Sequence, residues 1–439
     1  MNSPTNRVVI TGIGLISPLG SSKEELWEGL SAGRSAIGPM TMSPEGVLPL
    51  KFAAEAKQFT GDIENFGPLE KEQKKAIRKN AKVMCRESQM AVAAAQLALT
   101  DSGLTQGKFN VERTGVSFGS DYMISLPDDF VEGIQQCMDG DQQFHFEKWG
   151  DEGMKKMSPL WLLKYLPNMP ASHIAMYNDL QGPSNSVTIR EASSNIALGE
   201  AYQTILRGSA DIMLAGCTGT RLNPSKVMHV SLQEELACSD LDPQKASRPF
   251  DSNRTGMVLG EGAGSVILES LPVAQARGAT IYGEVLAASS SCVAGRRQIA
   301  NRRQAVENVL KSLLAASGLK PEDIGHINAH GLGTRTCDTE ESQAIQVLFG
   351  SRSKPVPVVA IKSSIGNIGA AGGVVEMIAS LMAMKHGHLF PAKNHETPDP
   401  ECPVFLPSDS SVETGSTFIN LSVTPQGQSS GILVRRFEE

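Results

Sequence analysis

The stretch Ser186-Val187-Thr188-Ile189-Arg190-Glu191-Ala192-Ser193-Ser194-Asn195 reads as a strand that turns directly into a helix. Val187, Thr188 and Ile189 are β-branched and suit a pleated, buried surface. The small-residue segment from Ala192 to Gly208 reads as the helix. A side chain at such a corner stands on a helix N-terminus, where unpaired amides and the helix dipole favour an anion or a polarised oxygen. Here that side chain is Glu191.

The same strand-then-helix grammar extends in both directions. Arg7 to Ser17 is a mostly apolar run ended by Gly20, as in a strand buried on both faces. Ser21 to Trp27 is a polar cap followed by a helical pattern. Lys74 to Gly103 reads as one long helical stretch, and Gly115 to Gly119 as a second buried strand. Residues 121–170 are irregular and read as an insertion lying over the core. Asp211 to Gly216 is a short strand, and Arg248 to Glu269 pairs a glycine-rich loop with a strong strand.

Beyond it the style repeats. Strands are expected at Thr280 to Ala288, Ile327 to Gly331, Val356 to Ile361, Thr417 to Ser422 and Gly431 to Phe437, with helices at Ala305 to Ser317 and Ala371 to His386. Alternation throughout predicts an α/β architecture with mainly parallel sheets, in two halves of similar pattern that share one core.

With 439 residues, 40% of them hydrophobic and 20% charged, the chain is an ordinary globular protein with length for two cores or one large layered unit. A net charge of -7 argues against nucleic acid or an anionic membrane as partner. No run reaches the roughly 18 apolar residues of a membrane span. Met1 to Arg7 lacks the apolar core of a secretory leader, so a cytoplasmic location is expected. The seven cysteines are dispersed with no C-x-x-C pair, which suggests reduced thiols packed as small hydrophobes. The histidines form no ligand-spaced cluster with them, and no metal is expected.

Several motifs resemble β-ketoacyl-acyl-carrier-protein synthases of the thiolase-like condensing-enzyme superfamily. They are the opening VVITGIGLISPLG, Gly182-Pro183-Ser184, Arg248-Pro249-Phe250-Asp251, Gly260-Glu261-Gly262-Ala263-Gly264, Asn328-Ala329-His330-Gly331 and Lys362-Ser363, in family order from residue 7 to about 420. The resemblance implies a layered αβαβα fold of two pseudo-repeated halves, 1–265 (with the insertion at about 121–170) and 266–439, normally dimeric. It implies no bound cofactor, since substrates ride on the phosphopantetheine of an acyl carrier protein.

The family's chemistry uses a cysteine thiolate at the strand-to-helix corner, two histidines that stabilise the oxyanion, a supporting lysine–glutamate pair and a glycine-rich gating loop. Carried across residue by residue, the nucleophile aligns with Glu191 and the first histidine with His330. The lysine aligns with Lys362, and Glu376 follows it at the family's spacing of fourteen residues. The second histidine position holds Asn367, and the usual Gly-Phe-Gly-Gly loop is Val423-Thr424-Pro425-Gln426. Of the paired threonines that contact the pantetheine arm, one is Leu332 and the other is kept as Thr334.

A carboxylate is a poor attacker of thioesters beside a thiolate, and a fixed negative charge repels malonate and any developing enolate. Glu191 is expected to be ionised, satisfied by helix amides or Arg190, with His330 across the pocket as its imidazolium partner. Asn367 can donate a hydrogen bond but cannot shuttle a proton. Lys362 and Glu376 read as a structural ion pair. Two functions remain open: a chain-length-factor-like partner of an active ketosynthase, or an acyltransferase or decarboxylase on carrier-bound chains using Glu191 and His330. The dimer is expected to be either homomeric or formed with that active ketosynthase.

Overall fold

The computed structural model describes residues 7–43, 46–104 and 107–438, the Gln298 side chain apart. Met1 to Asn6, read above for a leader, lie outside the described residues. In chain order the strands are β1 (Val8–Ile16), β2 (Ile37–Pro39), β3 (Phe52–Ala54), β4 (Thr114–Ser120), β5 (Ser184–Val187) and β6 (Ile212–Thr220). They continue with β7 (Glu261–Ser270), β8 (Gly283–Cys292), β9 (His326–Asn328), β10 (Val358–Val359), β11 (Thr417–Val423) and β12 (Gln428–Arg435).

β1 is buried at all nine positions because it has neighbours on both sides. It pairs antiparallel with β7 along its length and with β8 over Val8–Ile10. That short contact joins two five-stranded sets into one order, β10-β9-β11-β12-β8-β1-β7-β6-β4-β5. Reading outward from the joint, the first set runs β1-β7-β6-β4-β5 and the second β8-β12-β11-β9-β10. Matched by rank in the chain, the two orders are identical, so the expected repeat of pattern is a repeat of topology. Residue 265 lies inside β7, and the second set starts at Gly283.

The layers follow from what each helix touches. Helix Arg86–Ser102 packs on β1, β6 and β7, and helix Arg302–Ser317 on β8 and β12. Between the sheets lie helices Ser193–Leu206 and Gly372–His386, each touching strands of both sets. The result is the αβαβα sandwich. Burial on every side explains why Gly372–His386 is apolar around most of its circumference, with Val374 to Met384 all buried. One hydrophobic cluster draws on both halves, from Val8 and Val266 to Ile432 and Val434. Close layering also dictates small residues: a Cβ at Gly14 would come within 2.1 Å of the Ala94 carbonyl oxygen.

Three expectations are corrected. The large sheet is mixed, not mainly parallel: among the described residues five of its nine pairings are antiparallel and four parallel, because the central strands β7, β1, β8 and β12 each run opposite to their neighbours. The strand at the key corner is Ser184–Val187, not Val187–Ile189, and it is the exposed edge of the sheet, only Val187 being buried. β-Branching was read as burial, whereas Thr188 and Ile189 belong to the connection into the helix. The stretch from Lys74 to Gly103 is also not one helix: Lys71–Asn80 ends in a short turn, Ala81–Val83, and Cys85 is extended before Arg86–Ser102 begins. The break orients Arg86, which clamps the buried Glu261 through two nitrogens, at 2.8 and 2.6 Å. Among the described residues, no helix is long and apolar enough to cross a membrane.

Candidate active site

β4, β5 and β6 are mutually parallel, and so are β9, β10 and β11. In open α/β sheets, ligands gather outside the carboxyl ends of such strands. Each of the six strands ends at a chemically active side chain: Asp121, Glu191 and Arg221 after β4, β5 and β6, and His330, Lys362 and Thr424 after β9, β10 and β11. None of these six is a cysteine.

Glu191 sits in the single turn Arg190–Ala192 that opens into helix Ser193–Leu206. The preceding Arg190 has φ +46, a left-handed conformation that costs a non-glycine residue about 1–3 kcal/mol. The corner is held by the Ile189 amide, which donates to Ser193 Oγ at 2.8 Å. Glu191 is 2% exposed and its main partner is Arg221, itself wholly buried. Arg221 Nη2 donates to Glu191 Oε1, and Asn367 Nδ2 donates to the same oxygen at 3.4 Å. Arg190 Nε lies 3.6 Å from Glu191 Oε2. Arg221 also faces Asp121 at 3.4 Å and Glu234 at 3.8 Å, and Arg190 Nη2 donates to Glu234. The Glu191 carboxylate is also favoured by its own backbone amide, a smaller contribution than those of Arg221, Arg190 and His330.

Burial alone would push the Glu191 carboxyl up, but Arg221 and then Arg190 outweigh it and hold it well below the usual range. Burial and the Glu191 charge instead push Glu234 above its usual range, against the two arginines. Three carboxylates share two guanidiniums, and Glu234 bears the excess. Arg221 has shaped the backbone as well: a Cβ at Gly369 (φ +65) would lie 3.1 Å from both Arg221 Nε and Asp121 Oδ2.

His330 is not the imidazolium expected opposite Glu191. Lys362 Nζ donates to the His330 carbonyl at 2.6 Å, to His330 Nδ1 at 3.2 Å and to Glu376 Oε1. An ammonium only donates, so Nδ1 is the acceptor and the ring proton rests on Nε2. Burial first and the Lys362 charge next hold His330 well below its ordinary value, in spite of Glu191. The ring is neutral because it is buried beside the Lys362 ammonium, with Arg221 adding a smaller push in the same direction. Lys362 and Glu376 form the buried ion pair expected of them.

The His330 loop hangs from helix Arg335–Phe349. Glu341 accepts from the His330 and Gly331 amides at 2.7 and 2.9 Å, and Asp338 from the Leu332 amide at 2.9 Å and the Phe250 amide at 2.8 Å. Phe250 has φ +62, so this bond also fixes the strained Arg-Pro-Phe-Asp turn. Burial pushes Glu341 up to about 7 and Asp338 up to about 6. An acid with a raised folded value contributes stability that is present below its unfolded value and lost as pH rises through the folded one. Glu341→Gln should therefore gain on the wild type by about 1–3 kcal/mol between roughly pH 4.5 and 7. Chemical denaturation of both proteins at pH 5 and pH 8 reads the difference.

A cleft of about 150 Å³ leads toward this cluster, walled by Gln233, Glu234, Arg302, Thr334, Cys337 and Pro425. Thr334 is thus on the cleft, as the N-cap residue of helix Arg335–Phe349. Thr424 is buried in the turn after β11, where its hydroxyl donates to Gln428 Oε1 at 3.1 Å and its amide to the Gln428 carbonyl at 2.8 Å. Asn367 is buried beside Glu191, its amide also 3.3 Å from Met257 Sδ. The structure thus brings Glu191, Asn367, His330, Lys362 and Glu376 together. It adds Arg221, Asp121 and Glu234, which sequence reasoning passed over. The available signal was position: Asp121 and Arg221 each follow directly on a strand end.

The sequence matches the model of the β-ketoacyl synthase N-terminal domain over residues 5–274 and that of the C-terminal domain over residues 282–396. The chain belongs to the β-ketoacyl synthase family. It is 33% identical, over 93% of each chain, to 3-oxoacyl-acyl-carrier-protein synthase 2 of Synechocystis sp.. A β-ketoacyl synthase from Burkholderia phymatum superposes with a TM-score of 0.82 at 28% identity, covering 99% of this chain and 100% of that one. The ishigamide ketosynthase/chain length factor superposes at 0.81 with 29% identity and the same coverage. The thiolase-like ketosynthase fold is therefore established, and this chain is a β-ketoacyl-acyl-carrier-protein synthase homologue.

Proposed function

We propose that this ketosynthase homologue does not condense acyl chains by itself and serves as a chain-length-factor-like partner of an active ketosynthase in fatty-acid or polyketide-type synthesis. The observation that carries this is Glu191 buried against Arg221, at the corner to which the family resemblance assigns the acyl-bearing cysteine. No thiol follows any of the six parallel strands, and Glu191 is packed against the Arg221 guanidinium where a thioester would need room. The neutral His330 and the Thr424 amide tied to Gln428 support the same reading, since the second is withheld from any oxyanion. A base or nucleophile role for Glu191 is disfavoured, because a carboxylate held so far below its usual range takes up protons poorly.

The outer edge of β5 ends the sheet, with Ser184 and Asn185 exposed. An unpaired edge of this kind is a template for another chain, and it supports a dimer with a cysteine-bearing ketosynthase or with a second copy. The cleft with Thr334 in its wall supports an acyl carrier protein as the further partner, in line with the name of the Synechocystis relative.

Two measurements test the proposal. Purified alone and incubated with malonyl- and acyl-carrier protein, the chain should give no elongated product and no acyl adduct by intact-protein mass spectrometry. Purified from its native host, it should bring down a ketosynthase that carries the nucleophilic cysteine. A lone homodimer that joins malonyl units to an acyl chain defeats the reading.

A further inference from the structure

We propose that Arg190 and Arg221 form a carboxylate-binding site, which the chain keeps filled with its own Glu234 and opens to a small dicarboxylate or carboxyl-bearing acyl group entering by the cleft. This does not depend on the partner role.

The argument starts from hydrogen-bonding capacity. Each guanidinium carries five N–H donors in a planar fork suited to carboxylates. Arg221 spends Nη2 on Glu191, while its Nε and Nη1, fully buried, have no hydrogen-bond acceptor among the described residues. Arg190 spends Nη2 on Glu234, and its buried Nε also lacks an acceptor. Their shared neighbour Glu234 is just as poorly placed: Oε1 takes Arg190 and stands 3.8 Å from Arg221 Nη1, and Oε2 has no partner. Buried donors left without acceptors are costly. Arg221 Nε and Arg190 Nε face Asp121 and Glu191 at 3.4 and 3.6 Å, so the donor that a better-seated carboxylate would gain is Arg221 Nη1, which Glu234 approaches only to 3.8 Å.

Position and charge agree with this. Of the three acids of the cluster, Glu234 is the one that lines the cleft, beside the exposed Glu235 and across from Arg302. It lies just beyond helix Pro224–Ser231, beside Leu232 and Gln233, and Leu232 is 81% exposed. The Glu234 side chain itself is 7% exposed, so its withdrawal is an outward swing of the turn that carries the exposed Leu232 and Gln233. Asp121 and Glu191 balance the two arginines, and Glu234 is the surplus negative charge. Exchanging it for one ligand carboxylate leaves the sum unaltered, whereas adding a carboxylate beside it would not. Malonate is the simplest probe, since one carboxylate can engage the forks while the other faces the cleft.

The experiment uses the full chain as wild type, Glu234→Ala and Glu234→Ala/Arg190→Gln, titrated with malonate, acetate, phosphate or chloride at matched ionic strength. Glu234→Ala should bind malonate at least about tenfold more tightly than the wild type. Malonate should also raise its melting temperature by about 2 °C or more, with acetate giving a smaller rise. The Arg190→Gln addition should abolish both gains. No gain in Glu234→Ala, an equal gain with phosphate and chloride, or a gain that survives Arg190→Gln overturns the proposal. Should Glu234→Ala fail to fold, Glu234→Gln carries the same comparison, because it removes the competing charge while keeping the side-chain volume.

Discussion

A Glu191→Cys variant will stay inert. The substitution puts a thiol at the helix N-terminus beside two guanidiniums, a setting that favours the thiolate. Reactivity nonetheless requires room, and the side chain it replaces is 2% exposed and packed against Arg221. Alkylation by iodoacetamide should be at least about 100-fold slower at position 191 than at the exposed Cys238 and Cys292, on the premise that access limits a buried thiol. Condensation should remain at least about 10³-fold below that of an active relative, the scale of loss when a charge-stabilising donor is missing. Peptide mapping after timed alkylation measures the first, and a carrier-protein condensation assay the second. Glu191→Cys/Arg221→Ser should regain alkylation but not condensation, since Asn367 and the Thr424 turn are unchanged. Recovery of condensation by the single variant would show that Glu191 alone silences the site.

Arg221→Met will be among the most destabilising single substitutions in the chain, by about 3–5 kcal/mol, because it strands buried charge. In the wild-type cluster Asp121, Glu191 and Glu234 face Arg190 and Arg221, a surplus of one negative charge. Losing Arg221 leaves three carboxylates to one arginine. Glu191→Gln has the opposite effect on the sum: it leaves two against two and frees Arg221 for Asp121 and Glu234. It should cost only about 1–3 kcal/mol, the scale of an imperfectly replaced buried hydrogen bond. The double variant Glu191→Gln/Arg221→Met restores the original surplus and should lie closer to the wild type than Arg221→Met alone. Thermal unfolding of the four proteins forms a double-mutant cycle, and additive losses would mean that the two side chains are not coupled.

The cluster also shows where reading residues in order stops working. β1 was legible because a run such as VVITGIGLI is apolar on both faces, which only a strand between two neighbours tolerates. The middle-layer helix Gly372–His386 was legible for the same reason. The two-half pattern was legible because each half repeats the same alternation, and the matching strand orders are its three-dimensional counterpart. His330, Lys362 and Glu376 were located through the family resemblance, and their mutual contact follows from two neighbouring strand ends, those of β9 and β10, and one helix turn.

Arg221 was not legible in this way. It stands 30 residues from Glu191, and nothing in the intervening sequence states that β5 and β6 flank β4 and end side by side. The protonation of His330 was hidden for the same reason: burial and the neighbouring Lys362, with a smaller push from Arg221, reverse the one expected. β5 fails for a related reason: β-branching reports that a residue suits a sheet, not whether that sheet has a further strand beside it. The order of apolar and polar residues along the chain thus specified the alternation of strands and helices and the repeat, because burial is governed by local pattern, but not where each strand ends. Which charges meet at those ends, and which proton each keeps, followed from packing, because Coulomb interactions and desolvation depend on distances that chain order does not contain.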